Sequence, residues 1–157
     1  MSVWTIVGIV AVTFVAMEPV AWAMHKFIMH GPLWGLHRDH HLRDHGHVLE
    51  RNDLFFLLFA APSVLLFLLG AERGLHAPWT WIGLGILFYG IAYFLVHEVF
   101  IHQRIKWLRR TNNAYFMALR RAHKAHHKHL GKGNGVCFGM LCVPLKYFRD
   151  HGRASQG

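Results

Sequence analysis

The sequence predicts an all-α protein: an integral-membrane helical bundle with a histidine-rich cap on one side. Three observations predict it. Long apolar blocks carry almost no charge. Lysine and arginine are spread unevenly over the segments that join those blocks. Histidine recurs at two fixed spacings, each used twice.

The apolar blocks define the helices. "VWTIVGIVAVTFVAM" (3–17) is uncharged, and the run continues past Glu18 and Pro19 to Met24. About 22 residues are enough to cross a hydrocarbon core of about 30 Å at about 1.5 Å per residue. "LFFLLFAAPSVLLFLLGA" (54–71) is a second uncharged run. "WTWIGLGILFYGIAYFLV" (79–96) is a third, opening with two tryptophans at an expected interface. Helices apolar on every side for this length belong in lipid. Spans are expected over about 3–24, 54–71 and 79–101, within a single domain of residues 1–157. "GVCFGMLCV" (135–143) is too short to span and is expected to be re-entrant or interfacial. "AWA" at 21–23 has the look of a signal cleavage site. No basic segment precedes the apolar run, and the run is longer than a signal core, so a retained span is expected.

Charge placement orients the bundle. The chain of 157 residues has 17 Lys and Arg and a net charge of +9. Lys26, Arg38, Arg43 and Arg51 lie in 25–53, twelve more follow His102, and only Arg73 lies near the short connection 72–78. The positive-inside rule places 25–53 and 97–151 in the cytoplasm. Topology thus accounts for the basic charge without nucleic acid. Cys137 and Cys142 are not a C-x-x-C pair and are expected to be free thiols.

The histidines carry the chemistry. His25 and His30 form H-x4-H, then His37, His40 and His41 form H-x2-H-H. His97 and His102 repeat the first spacing, and His123, His126 and His127 repeat the second. Random placement of 15 histidines would yield on the order of 0.1 H-x2-H-H matches. All ten fall on the predicted cytoplasmic side, at or near the ends of spans. Ionisable groups there mark function.

On an α-helix, i, i+3 and i+4 lie within about 100° of one another. Each H-x2-H-H box therefore presents three imidazoles on one face. Positions i and i+5 differ by about 140° on a regular helix. The H-x4-H pairs then either address different metals or sit on a distorted helix. Ten imidazoles exceed the needs of one ion, and two ions with four or five nitrogens each is the natural count. Imidazole alone suits zinc, iron, copper and nickel. Asp39, Asp44, Asp53 and Glu98 are candidates to accept the outer N–H of ligating histidines, with Glu50 close by. His45, His47 and His129 lie beside the boxes and outside the pattern, and His76 and His151 read as surface residues. A His-rich metal transporter would place ionisable residues along its spans. Only Glu18 interrupts them before His97.

These boxes resemble the fatty acid hydroxylase superfamily of integral-membrane di-iron enzymes. The similarity covers nearly the whole chain and is closest to the bacterial β-carotene hydroxylase branch. It rests on "HKFIMHGPLWGLHRDHH" (25–41), "ERNDLFFLLFA" (50–60), "HEVFIHQR" (97–104) and "YFMALRRAHKAHHKHLGKGNGVCFGML" (115–141). Glu98 stands where that branch has Asp, and "GKGNGVCFG" differs from its loop in detail.

The resemblance implies O2-dependent hydroxylation of the β-ionone rings of β-carotene, through β-cryptoxanthin to zeaxanthin. It implies two ferrous ions on the ten histidines, with no catalytic residue beyond those ligands. Zinc can replace iron in a purified sample. A carotenoid ketolase, or an acyl or sterol hydroxylase or desaturase of the same superfamily, is the nearest alternative. Phe27, Trp34, Phe94, Phe100 and Trp107 are candidates to line a ring pocket, the other reading being an interfacial aromatic belt. With no Gly-rich dinucleotide motif and no cysteine cluster, electrons are expected from a ferredoxin-type donor at the basic cytoplasmic surface. The expected location is the bacterial inner membrane.

Overall fold

The structure is a computed structural model and describes residues 1–42, 49–74, 76–106 and 110–148. Asp44, His45, His47, Trp107 and His151 lie outside the described residues. Among the described residues every regular element is helical.

α1 (Val3–Ala23), α3 (Leu54–Arg73) and α4 (Pro78–Phe94) are the long helices. With their helical extensions, Val3–Met29, Arg51–Arg73 and Pro78–Ile101 are each long and apolar enough to cross a membrane. The first span runs on to Met29 and the second, Arg51–Arg73, is longer at both ends than hydropathy alone gives, whereas the third, Pro78–Ile101, matches its expected bounds to within a residue. Ser2 starts α1 by accepting the Thr5 N–H at 3.1 Å. Pro78 starts α4 at a position where its missing N–H costs nothing. Gly74, in the left-handed region at φ 76°, ends α3.

α4 is the central helix, packed against both α1 and α3. Lipid-like packing depends on small residues that let backbones approach. At Gly85 a Cβ would stand 2.6 Å from Thr13 Cβ and 2.9 Å from the Val10 carbonyl oxygen. The outer surface is bare hydrocarbon: Trp4 is 84% exposed, Val12 71% and Leu57 66%. A patch of that extent is stable only against lipid.

Beyond the bundle lies the cap. α2 (Trp34–Leu42) and α5 (Ala114–His127) are short helices that carry the two H-x2-H-H boxes. Asn113 caps α5, its Oδ1 accepting the N–H groups of Tyr115 and Phe116. Residues 135–143 form no helix; they fold back over the histidines and meet α1 at Glu18.

Candidate metal centre

The H-x4-H pairs sit on π-helical turns. α1 continues as a π-helix over Met24–Met29, and α4 over Leu95–Ile101. The His30 N–H donates to the His25 carbonyl at 3.0 Å, and the His102 N–H to the His97 carbonyl at 2.9 Å. An i→i+5 bond brings residue i+5 back over residue i. The two rings of each pair therefore face the same way, with centroids 5.2 Å apart for His25–His30 and 4.6 Å for His97–His102. Of the two sequence alternatives, the distorted helix is the one found. Gly31 then lets the chain turn: a Cβ there would stand 1.8 Å from the Phe27 carbonyl oxygen.

The π turns feed two clusters. His25, His30, His37, His41 and His126 form one, and His40, His97, His102 and His123 the other. Within each, one ring nitrogen per residue lies within 4.8 Å of all the others. Each box is split: α2 gives His37 and His41 to the first cluster and His40 to the second, and α5 gives His126 to the first and His123 to the second. His127 belongs to neither grouping. Its ring stacks on His41 at 4.5 Å and lies 4.5 Å from His123 and 4.9 Å from His40 and His102. Its Nε2 is buried with no hydrogen-bond partner in the protein.

Ring protons are committed outward. In the first cluster Nδ1–H donates to the Phe138 carbonyl from His25 (3.0 Å) and to the Lys132 carbonyl from His30 (3.2 Å). His37 donates to Asn52 Oδ1 (2.7 Å) and His126 to the Val136 carbonyl (2.9 Å). In the second cluster His40 donates to Glu50 (2.8 Å) and His97 to Glu98 (2.5 Å). These acceptors have no proton to give, so they fix the tautomer. The inward Nε2 atoms must then be bare lone pairs. Yet they face each other at 3.1 Å for His25–His37, 3.3 Å for His30–His126 and 3.1 Å for His40–His97. Opposed lone pairs at that distance repel, and a cation between them removes the conflict. The donor set fits metal ions.

Burial keeps these imidazoles neutral. It lowers His37, His41 and His126 to about 3 and His127 to about 2, with neighbouring histidines adding to the effect. His30, His40 and His123 are lowered by the same cause. Neutral imidazole is the ligating form.

The two clusters differ in what supports them. The first leans on backbone carbonyls of 132–138 and on Asn52. Cys137, left-handed at φ 58°, lies between the Val136 and Phe138 carbonyls that hold two different rings. The second leans on carboxylates bound by one guanidinium. Arg104 Nε lies 2.7 Å from Glu98, Nη1 2.9 Å from Asp53 and Nη2 3.1 Å from Glu50. Burial pushes the Glu50 carboxyl up, and the Arg104 charge opposes it.

Several singled-out residues do other work here. Asp39 accepts the backbone N–H groups of His40 and Arg51, and Asp53 accepts that of Glu50, so neither reaches a ring nitrogen. Phe27 is exposed and packs on Trp22 and Lys26. Trp34 packs on the His30 and His41 rings. Phe100 is buried against Phe116 and Arg120. Phe94 lines an apolar groove of ≈ 440 Å³ between α3 and α4. That groove shares Phe56, Phe59, Ile86 and Gly90 with a narrower chamber of ≈ 30 Å³ bounded by Met29, Asn52, Phe55, Tyr89 and Tyr93. Asn52 binds His37 and the Tyr93 ring lies 5.2 Å from His97, so the chamber reaches both clusters. Sequence reasoning gave Asn52 no role, because its burial and its bond to His37 exist only in the fold. The carbonyls of 132–138 left no such trace.

The sequence profile of the fatty acid hydroxylase family matches residues 10–145. The chain belongs to the fatty acid hydroxylase family. It is 41% identical over 137 residues to a protein of Paracoccus sp. (strain PC1) named beta-carotene hydroxylase, covering 87% of this chain and 83% of that one. It is 43% identical over 136 residues to the beta-carotene hydroxylase of Pantoea ananas, covering 87% and 76%. It is 33% identical over 132 residues to the chloroplastic beta-carotene hydroxylase 1 of Capsicum annuum, covering 83% of this chain and 41% of that protein. No solved structure matches it. Membership of the fatty acid hydroxylase family and the clustered neutral imidazoles together make this the metal site of a membrane hydroxylase.

Proposed function

We propose that this protein hydroxylates the β-ionone rings of carotenoids, converting β-carotene to β-cryptoxanthin and zeaxanthin. The observation that carries the reading is the coincidence of two things in one chain. Its relatives at 40–43% identity are named beta-carotene hydroxylase, and its histidine clusters lie under an apolar chamber between membrane helices.

Residues 1–157 act as one domain. The ten histidines hold two ions: His25, His30, His37, His41 and His126 one, and His40, His97, His102 and His123 the other, with His127 completing the second. Bound there, two iron ions supply O2 activation, with one oxygen atom entering the C–H bond and the other leaving as water after uptake of two electrons and two protons. The protein's own residues do the rest. Asn52, Glu50, Glu98 and the carbonyls of 132–138 hold the rings of His25, His30, His37, His40, His97 and His126 with Nε2 inward. Phe56 and Phe59, shared by groove and chamber, stand where a ring arriving sideways from lipid would enter. The apolar lining excludes bulk water from the reacting carbon. The exposed Lys106, Arg110, Lys124, Lys128 and Lys132 offer a basic cytoplasmic surface that steers an acidic ferredoxin-type donor. The Lys and Arg asymmetry supports a cytoplasmic side for the histidines, in a bacterial inner membrane.

The test is pigment analysis in a bacterial host that accumulates β-carotene, by chromatography with mass detection. Alcohols heavier by one and two oxygens are expected. Ketones would reassign the chain to ring oxidation at a ketolase. Unchanged β-carotene, with iron-loaded protein in the membrane, would remove the carotenoid and direct attention to acyl lipids and sterols.

A further inference from the structure

Glu18 is a carboxylate in the middle of an apolar span, and the proposed reaction does not use it. In lipid such a group persists only where it does something. Its Oε1 accepts the backbone N–H groups of Met140, Leu141 and Cys142, each at 2.9 Å. Its Oε2 accepts the Tyr89 hydroxyl at 2.7 Å. One side chain thus ties α1 to α4 and to a segment more than a hundred residues away. Gly139 makes room for the contact: a Cβ there would stand 3.1 Å from Oε1. The tethered segment is the one whose Val136 and Phe138 carbonyls hold His126 and His25. Among the described residues nothing equivalent reaches the second cluster, which Arg104 and its carboxylates support.

We infer that Glu18 is a positioning residue that latches residues 136–142 over the five-histidine cluster and so sets the retention of that cluster's ion. The inference rests on the reading that the histidines hold two metal ions, and not on the identity of the organic substrate. The latch works by reach. The three N–H groups need an acceptor oxygen at the end of a two-methylene stem, whatever its charge. Outer partners of ligating histidines set metal affinity by about 10–100-fold, so loosening the segment releases one ion and spares the other.

The experiment uses full-length protein loaded with ferrous iron without air, counted for iron, then challenged with a chromogenic ferrous chelator. Wild type holds two irons; fewer than two would overturn the two-ion reading and this inference with it. Glu18→Asp keeps the charge and withdraws the carboxylate by one methylene. It releases one of two irons about 10–100-fold faster, with the other unchanged. Glu18→Gln keeps the reach and an acceptor oxygen, and releases both irons close to wild type. Wild-type release from Glu18→Asp overturns the latch alone. So does equal acceleration of both irons, which marks general loosening of the fold. Faster release from Glu18→Gln than from Glu18→Asp would show that charge acts here, not reach.

Discussion

Replacing Arg104 by Met tests the support of the four-histidine cluster. The guanidinium lies within ion-pair distance of Glu98, Asp53 and Glu50 together. Glu98 is fully buried, while Glu50 and Asp53 are 24% and 19% exposed. The exposed pairs are screened, and each contributes up to about 1 kcal/mol. The buried one dominates: removing the partner of a buried charge costs about 3–5 kcal/mol. Arg104→Met is therefore expected to destabilise the protein by about 3–5 kcal/mol and to lose one iron, because Glu98 and Glu50 hold His97 and His40. Glu98→Gln added to Arg104→Met removes the stranded charge yet keeps an acceptor for the His97 N–H. The double variant should recover roughly half of the lost stability. Denaturant unfolding in detergent and iron per chain are the measurements. An Arg104→Met protein within about 0.5 kcal/mol of wild type, still holding two irons, would refute the reasoning.

Three further outcomes follow from the same geometry. Gly85→Ala forces a methyl against Thr13 and the Val10 carbonyl at the α1–α4 contact, and should cost about 1–3 kcal/mol in unfolding measurements; an unchanged midpoint would mean that the helices part freely. At Gly90 a Cβ meets nothing within 4 Å, so Gly90→Leu should fold and bind metal normally while filling the throat between groove and chamber. Pigment conversion should fall at least about tenfold, and full conversion would place the substrate path elsewhere. In the metal-free protein the histidines near 3 are neutral when folded, whereas the unfolded chain takes up protons below about 6.5. Their contribution is fully present above pH 6.5 and is lost as pH falls toward 3, by up to about 1.4 kcal/mol per group per pH unit. Unfolding free energy that stays flat from pH 7 to 5 would show that these rings take up protons in the folded protein as they do in the unfolded chain.

The sequence by itself determined the solvent and the chemistry. Unbroken apolar runs fix three spans, because lipid demands them residue by residue. Histidine spacing on two H-x2-H-H boxes fixes a shared face, because helical periodicity is local. What the sequence left open was how H-x4-H could act as a pair. A regular helix separates those residues, and only the π turn, held in place by packing at the ends of α1 and α4, brings them together. The division into five and four histidines was equally invisible, since each box is split between clusters according to how α2 and α5 cross the bundle ends. The outer supports were legible only in part. Glu98 sits next to its histidine in sequence, so it could be named. Asn52, fifteen residues from His37, and the carbonyls of 132–138, about a hundred residues from His25 and His30, could not. A backbone carbonyl belongs to every residue and is chosen by position alone. Glu18 shows the same division: its presence in an apolar span was plain from the sequence, but its partners are N–H groups brought to it by the fold.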